Sequence, residues 1–179
     1  MRTRESVLTS HRQSDSPLSL EDLYSKPGHL IRRCQQIAVA IFLEETKDFD
    51  ITPVQYAALV AIGRYPQIDA TRLSHLIAFD RSTLGSVLER LEQKQLVART
   101  SGAEDRRVKK LILTKAGTQL LTDVEHAVEE AQVRMLAPLK PEEQRRFISM
   151  LERIVQINNT FSRAPRKVVA LQAAPARKR

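Results

Sequence analysis

The chain has 179 residues, 42% of them hydrophobic, which is enough to bury the core of one domain. No apolar run approaches 18 residues and the start of the chain is polar, so neither a membrane span nor a signal peptide is expected. The single cysteine, Cys34, excludes an internal disulfide and fits a reducing cytoplasm, and the net charge of +8 favours an anionic partner.

The amino-terminal part of the chain predicts a disordered start followed by helices. Residues 1–16 are polar without periodicity, and we expect them to be disordered. From about residue 18 to 47 the apolar residues follow a helical period that is interrupted at Pro27 and Gly28, which predicts a short helix and then a long one. Thr52, Pro53 and Gln55 predict the start of a further helix, closed by a capping box and running to about residue 64.

The next segment predicts two helices joined by a tight turn. The sequence predicts a short helix over residues 69–78 and a tight turn at Ala78 and Phe79. Asp80 is a good N-cap for a second helix. Two helices on such a short connection predict a helix-turn-helix. Leucine and valine recur at helical spacing on the buried face of the second helix. The first residues after its cap are hydrogen-bonding types, as in a helix that reads base edges: Arg81, Ser82, Thr83 and Ser86.

A β-hairpin and two long helices complete the predicted order. Residues 96–100 and 110–113 are strand-like around a polar loop, which predicts a wing with arginines at its tip. Thr114 caps a long helix that ends at Pro138, and Pro141 opens the last helix. The fold class is therefore mainly α with a small β-wing, a winged helix-turn-helix core flanked by terminal helices.

The terminal helices predict a homodimer. Their apolar stripes are too extensive for one small lobe to cover, and interleaving with a second copy would bury them. The domain then spans residues 17–162, with a DNA-binding lobe at about 52–114 and dimerisation helices at about 18–47 and 115–161. Such a dimer would place two recognition helices about 34–36 Å apart.

The charge distribution supports a focused nucleic-acid surface. Residues 81–115 hold nine basic and four acidic side chains, whereas the rest of the body is weakly acidic. Residues 163–179 carry six basic residues and no acidic one, and we expect this tail to be disordered. The tail is either an auxiliary DNA contact or a solubilising end.

These motifs resemble the MarR family of bacterial transcription regulators over about residues 20–161. The most specific match is the wing pattern Asp-x-Arg, five residues, Leu-Thr, which here is Asp105, Arg107, Leu113 and Thr114. The Asp-Arg-Ser-Thr run at 80–83 and the run Leu-Val-Ala-Arg at 96–99 also match. The resemblance implies a homodimeric, usually repressing regulator that binds a pseudo-palindromic site on double-stranded DNA and releases it on binding a small, often aromatic, acid.

The resemblance also assigns DNA-contacting residues by position. Ser82, Thr83 and Ser86 would face bases, and Arg81 and Arg90 would lie at bases or phosphates. At the wing tip, which includes Arg106, Arg107 would enter the minor groove and be steadied by Asp105. Thr71 and Arg72 would contact the DNA backbone.

A candidate effector site begins at the first long helix. His29 and Arg32 share a helical face, and arginine binds carboxylates bidentately, so the pair could hold an acid, with Tyr24 and Lys26 close by. The segment 24–33 resembles the corresponding part of family members that govern degradation of aromatic acids, nicotinate-type compounds among them. The expected effector is therefore a hydroxynicotinate- or hydroxybenzoate-like acid. The alternative is a solvated basic face or an interface ion pair. Tyr56 and Phe79 could line the same pocket or could equally be core residues.

Other functions stay open as alternatives. Cys34 could sense peroxide, but it shares a helical face with Leu30 and Ile37, where a thiol usually packs inertly. The chain could also be a nonspecific architectural DNA-binding protein or a dimerisation adaptor without DNA affinity. Nothing resembles a catalytic nucleophile with its base, a phosphate-binding glycine loop or a metal-ligand cluster, so no enzyme activity, cofactor or metal is expected.

Overall fold

The computed structural model describes residues 19–101 and 109–167. Within these two ranges seven α-helices run in chain order: α1 Leu20–Ser25, α2 Pro27–Glu45, α3 Pro53–Arg64, α4 Ala70–Leu76, α5 Arg81–Gln93, α6 Lys115–Leu136 and α7 Pro141–Ile157. The same described residues contain three strands: β1 Ile68–Asp69, β2 Val97–Ser101 and β3 Lys109–Leu113. The chain forms two compact units, of which one ends at Gln36 and the other begins at Ile37. The predictions of a disordered start at 1–16 and of wing-tip contacts at Asp105, Arg106 and Arg107 lie outside the described residues.

The first unit contains α1 and the start of α2. Ser19 and Asp22 form a capping box at the start of α1, in which the Ser19 hydroxyl accepts from the Asp22 backbone N–H at 3.1 Å. Lys26 is extended, and α2 begins at Pro27, whose missing N–H costs nothing in a first helical turn. The predicted interruption at Pro27 is therefore the boundary between two helices.

The core of the second unit lies between α3, α4, α5 and the sheet. Leu59, Ile62, Leu73, Leu84 and Leu91 are fully buried there. The capping box predicted for α3 is present: the Thr52 backbone N–H donates to Gln55 Oε1 at 3.0 Å, and the Gln55 N–H donates to the Thr52 hydroxyl at 3.3 Å. A second, smaller cluster joins α2 to α6, with Phe42, Ile51, Val124 and Val128 buried.

The wing contains one strand more than the sequence predicted. The sheet is antiparallel in the order β1-β3-β2, and β1 pairs Ile68 with Leu111 and Asp69 with Lys110. A two-residue strand carries no alternation that a sequence pattern could reveal. Its consequence is that the wing is attached through β3 to the residues that begin the helix-turn-helix.

Three further expectations are corrected by the structure. Cys34 was expected to pack on an apolar helical face, but it is exposed in the single chain. Residues 163–167, assigned to a disordered tail, follow a short 3-10 turn at Asn159–Phe161 and form hydrogen bonds. The helix before the turn ends at Leu76 and not at residue 78, while Ala78 is left-handed and belongs to the turn, as the sequence also predicted.

Several large apolar side chains of the terminal helices remain exposed in the single chain. On α7 they are Ile148, Met150, Leu151, Ile154, Val155 and Ile157, with exposures from 37% to 71%. Among residues 19–101 and 109–167, no helix is long and apolar enough to cross a membrane.

Candidate DNA-binding surface

The turn between α4 and α5 sets the direction of the second helix. Ala78 has a φ of 52°, a left-handed conformation that is uncommon outside glycine, asparagine and aspartate. The next residue closes the turn, because the Phe79 backbone N–H donates to the Ser74 carbonyl at 3.0 Å. Phe79 is partly buried against the main core, which favours its role as a packing residue over a role in an effector pocket. The predicted helix-turn-helix is thus confirmed.

Asp80 caps α5 as the sequence predicted. Its carboxylate accepts from the backbone N–H groups of Ser82 at 2.9 Å and of Thr83 at 3.4 Å, and from the Ser82 hydroxyl. The hydrogen bonds from Ser82 and Thr83 lower the pKa of Asp80 below its usual value. The cap therefore keeps a negative charge at the helix start, where the helix dipole also favours it.

The exposed face of α5 carries the five residues that the sequence assigned to DNA contacts on this helix. One side of the helix is buried through Leu84, Val87, Leu88 and Leu91. The predicted DNA-reading side chains are all exposed: Arg81, Ser82, Thr83, Ser86 and Arg90. A polar helix N-terminus that projects from a fixed core is the geometry that a recognition helix requires.

The two serine hydroxyls on this face already have acceptors for their protons. The Ser82 hydroxyl donates to Asp80, and the Ser86 hydroxyl donates to the Thr83 carbonyl at 2.9 Å. A hydroxyl has one proton and two lone pairs, so each oxygen can still accept hydrogen bonds. In this arrangement the face presents acceptors beside the guanidinium donors of Arg81 and Arg90.

The predicted backbone contacts on α4 differ in accessibility. Arg72 is exposed and its side chain lies 3.5 Å from the Asp69 carboxylate, which also caps α4. Thr71 is partly buried, and its carbonyl accepts from the Ser74 hydroxyl at 2.8 Å. Arg72 is therefore placed to contact an anion from solvent, and Thr71 is less available.

The end of α5 is tied to the start of α6. Gln95 has a φ of 56°, and its carbonyl accepts from the Thr114 hydroxyl at 2.6 Å. Thr114 also caps α6, since its hydroxyl accepts from the Gly117 backbone N–H at 3.0 Å. The sequence predicted Thr114 as a cap but missed Gly117, where a Cβ would lie 2.1 Å from the Leu96 carbonyl oxygen. The only available signal was a glycine in the first turn of a long helix.

The predicted effector residues fall in both units. In the first unit the rings of Tyr24 and His29 lie 5.6 Å apart, and Lys26 is exposed between the two helices. Arg32 is exposed and donates to Gln36 Oε1 at 3.0 Å.

Tyr56 lies in the second unit. Its ring centroid is 6.0 Å from that of Phe42, which supports a packing role. Burial, together with the charges of Glu125 and Glu129, raises the pKa of Tyr56, so its hydroxyl stays protonated at neutral pH.

Comparison with known proteins agrees with this geometry. A profile described as the MarR family matches residues 51–109. The HTH-type transcriptional repressor NicR of Pseudomonas putida is 31% identical over 100 residues, which cover 56% of this chain and 63% of NicR. A putative transcriptional regulatory protein for the hcr operon of Thauera aromatica is 31% identical, and the match covers 71% of this chain and 77% of that protein.

Solved structures of transcriptional regulators have the same fold as this chain. CouR, a transcriptional repressor bound to a 23-mer DNA duplex, superposes with a TM-score of 0.71 at 26% identity, covering 78% of this chain and 99% of CouR. BpsR of Bordetella bronchiseptica, whose DNA binding is regulated by 6-hydroxynicotinic acid, superposes with a TM-score of 0.71 at 27% identity, covering 78% of this chain and 97% of BpsR. Fold, helix-turn-helix geometry and relatives agree, and the chain belongs to the MarR family of winged helix-turn-helix transcriptional regulators, which are not enzymes.

Proposed function

We propose that this chain is a sequence-specific repressor that binds a pseudo-palindromic operator as a homodimer and is released by a small aromatic acid. The observation that carries the proposal is α5, with a capped, polar and exposed start and an opposite face that is buried in the core. The structure of CouR with a DNA duplex and the name of NicR as a repressor support the same role.

The chemistry of α5 suggests which base edges it prefers. Because Ser82 and Ser86 donate within the helix, their oxygens would act as acceptors towards DNA. The major-groove donors are the amino groups of adenine and cytosine, so we expect those bases opposite the two serines. Arg81 and Arg90 would bind guanine or phosphates, since guanidinium donors match both.

A second copy of the chain would cover the exposed apolar side chains of the terminal helices. Val155 and Ile157 on α7 are 65% and 71% exposed, and on α2 Leu30 and Ile31 are close to half exposed. Apolar surface of this extent is unusual on a monomer and marks an interaction site. A two-fold dimer would also present two recognition helices about 34–36 Å apart, one turn of DNA.

The effector would bind at the start of α2, with its carboxylate on Arg32 and His29. Both side chains offer donors to an acid, and the ring of Tyr24 lies beside His29, where it could contact an aromatic ligand. Lys26 would add positive charge, and Tyr56 stays a separate candidate. The regulation of BpsR by 6-hydroxynicotinic acid supports a ligand of this class.

Release follows if the ligand prefers a conformation whose two recognition helices are wrongly spaced for successive major grooves. A tenfold loss of DNA affinity needs only about 1.4 kcal/mol of preference between the two conformations. One charge-assisted pair between a carboxylate and a guanidinium is sufficient to supply this preference.

The test uses the duplex that the 179-residue chain selects from a pool of random 30-base-pair duplexes. Fluorescence anisotropy should show that an excess of unselected duplex competes poorly, and light scattering should give a dimer. Equal competition by unselected duplex would favour a nonspecific architectural protein instead, and an absence of any binding would favour an adaptor.

The effector site is tested on the same complex. We expect a hydroxynicotinate or hydroxybenzoate to release the DNA from the unmodified chain but not from Arg32→Ala, while Arg32→Ala binds DNA normally without ligand. Arg33→Ala is the matched control, because the neighbouring arginine is also exposed but points to another side of α2. If Arg32→Ala responds as the unmodified chain does, the proposed site is wrong, and a peroxide titration of the Cys34 thiol is the next test.

A further inference from the structure

The chain returns to the helix-turn-helix after its last helix. The backbone N–H of Lys167 donates to the carbonyl of His75 at 3.1 Å. His75 lies in the last turn of α4, where carbonyl groups lack partners within the helix. The segment therefore adds a hydrogen bond to the helix that leads directly into the α4–α5 turn.

Residues 159–167, here named the basic arm, are also held from within. The Asn159 side chain binds both backbone groups of Arg166: its Oδ1 accepts from the N–H at 2.8 Å, and its Nδ2 donates to the carbonyl at 3.0 Å. Ala164 and Pro165 are partly buried. These contacts give the basic arm a defined position, which the sequence alone had assigned to a disordered tail.

The basic arm carries positive charge at the segment that contacts α4. Its charged residues are Arg163, Arg166 and Lys167, all exposed, and it contains no acidic residue. Within the described part of the chain, none of the three forms an ion pair with a carboxylate. The charge of Arg163 is among the causes that lower the pKa of Asp80.

We propose that the basic arm is a second DNA-contacting element, in which Arg163, Arg166 and Lys167 bind phosphates beside the major groove that α5 enters. This inference rests on the proposed function. Lysine and arginine side chains bind phosphate oxygens, and such contacts position a protein on DNA without reading the base sequence. The basic arm would therefore increase DNA affinity and fix the orientation of the protein on the duplex, without changing the preferred base sequence.

The test measures how DNA affinity depends on salt, with the full chain and the duplex it selects from a random pool. The slope of the logarithm of affinity against the logarithm of salt concentration reports the number of neutralised phosphates, because each phosphate contact adds about 0.9 to its magnitude. We expect the triple variant Arg163→Gln, Arg166→Gln, Lys167→Gln to lower this slope by about 2 to 3 and to select the same sequence. The matched control is Arg145→Gln, Arg146→Gln, Arg153→Gln, which removes the same charge from the exposed surface of α7. Light scattering establishes that this variant has the same oligomeric state as the unmodified chain, and its slope should then be unchanged.

A second variant separates position from charge. Asn159→Ala keeps every charge but removes both hydrogen bonds to Arg166, so we expect affinity between those of the unmodified chain and the triple variant. An unchanged slope in the triple variant would show that the basic arm only donates a hydrogen bond to the end of α4. An equal decrease of the slope in the control would show that the arm only adds net charge. Either result would overturn the proposal. If the unmodified chain selects no sequence, the proposed function itself fails, and this is a distinct outcome.

Discussion

Substitution of Gly117 by alanine tests how tightly the DNA-binding lobe is joined to α6. A Cβ at this position would lie 2.1 Å from the carbonyl oxygen of Leu96 and 3.0 Å from its carbonyl carbon. Those atoms belong to the backbone, so no side-chain rotation relieves the contact. The same oxygen accepts from the Thr114 backbone N–H at 3.1 Å, and moving it would disturb the hydrogen bond that precedes α6.

The expected magnitude comes from two opposing effects. Overpacking lowers the free energy of unfolding by about 1–3 kcal/mol. We expect a cost of about 3 kcal/mol here, because the contact is short and the contacted atoms belong to the backbone. Alanine favours a helix over glycine by about 1 kcal/mol, which offsets part of the cost. The net loss is about 2 kcal/mol in the free energy of unfolding. For a chain of this size, Tm should fall by about 4–8 °C.

Gly85→Ala is the matched control, because Gly85 lies in α5 with no atom within 4 Å of a Cβ. Here only the helix preference acts, so Tm should rise by about 2–4 °C. Thermal unfolding is followed by circular dichroism at one protein concentration, since association would shift Tm. A Gly117→Ala protein that unfolds at or above the temperature of the unmodified chain would refute the close approach.

Three further predictions concern charged groups. Arg107→Ala should weaken operator binding by about 1–3 kcal/mol with Tm nearly unchanged, and an unaltered anisotropy titration would contradict the wing assignment. Arg134→Ala removes ion pairs to Glu44 at 3.0 Å and to Glu45 at 2.7 Å, so its Tm should be lower than that of the unmodified chain. This difference in Tm should become smaller in 1 M salt, because salt screens ion pairs, whereas a difference caused by lost packing would persist. The pKa of Asp80 in the folded chain lies below its usual value of 3.8. The stabilisation from its carboxylate is therefore fully present above pH 3.8 and is lost as the pH falls through the pKa of the folded chain. An NMR titration of this carboxyl group with a midpoint at or above 3.8 would disprove the cap.

The sequence by itself determined the starts of several helices and the polar, exposed face of α5. Caps act over two or three residues, so Thr52, Asp80 and Thr114 could be recognised without any knowledge of distant contacts. Helical spacing likewise separated the buried leucines of α5 from its polar residues, because that period is a property of the helix alone. The family could be identified from the same local motifs, and the comparisons confirm it.

Only the tertiary structure decided which distant segments meet. Ile68 pairs with Leu111, the Leu96 carbonyl excludes a Cβ at Gly117, and Lys167 bonds to His75, yet none of these pairs lies close in sequence. Such contacts depend on how completed helices and strands pack, and they leave no periodic pattern in the chain. For the same reason the exposure of Cys34 could not be predicted: helical spacing shows that a face is apolar, and packing decides whether that face is covered.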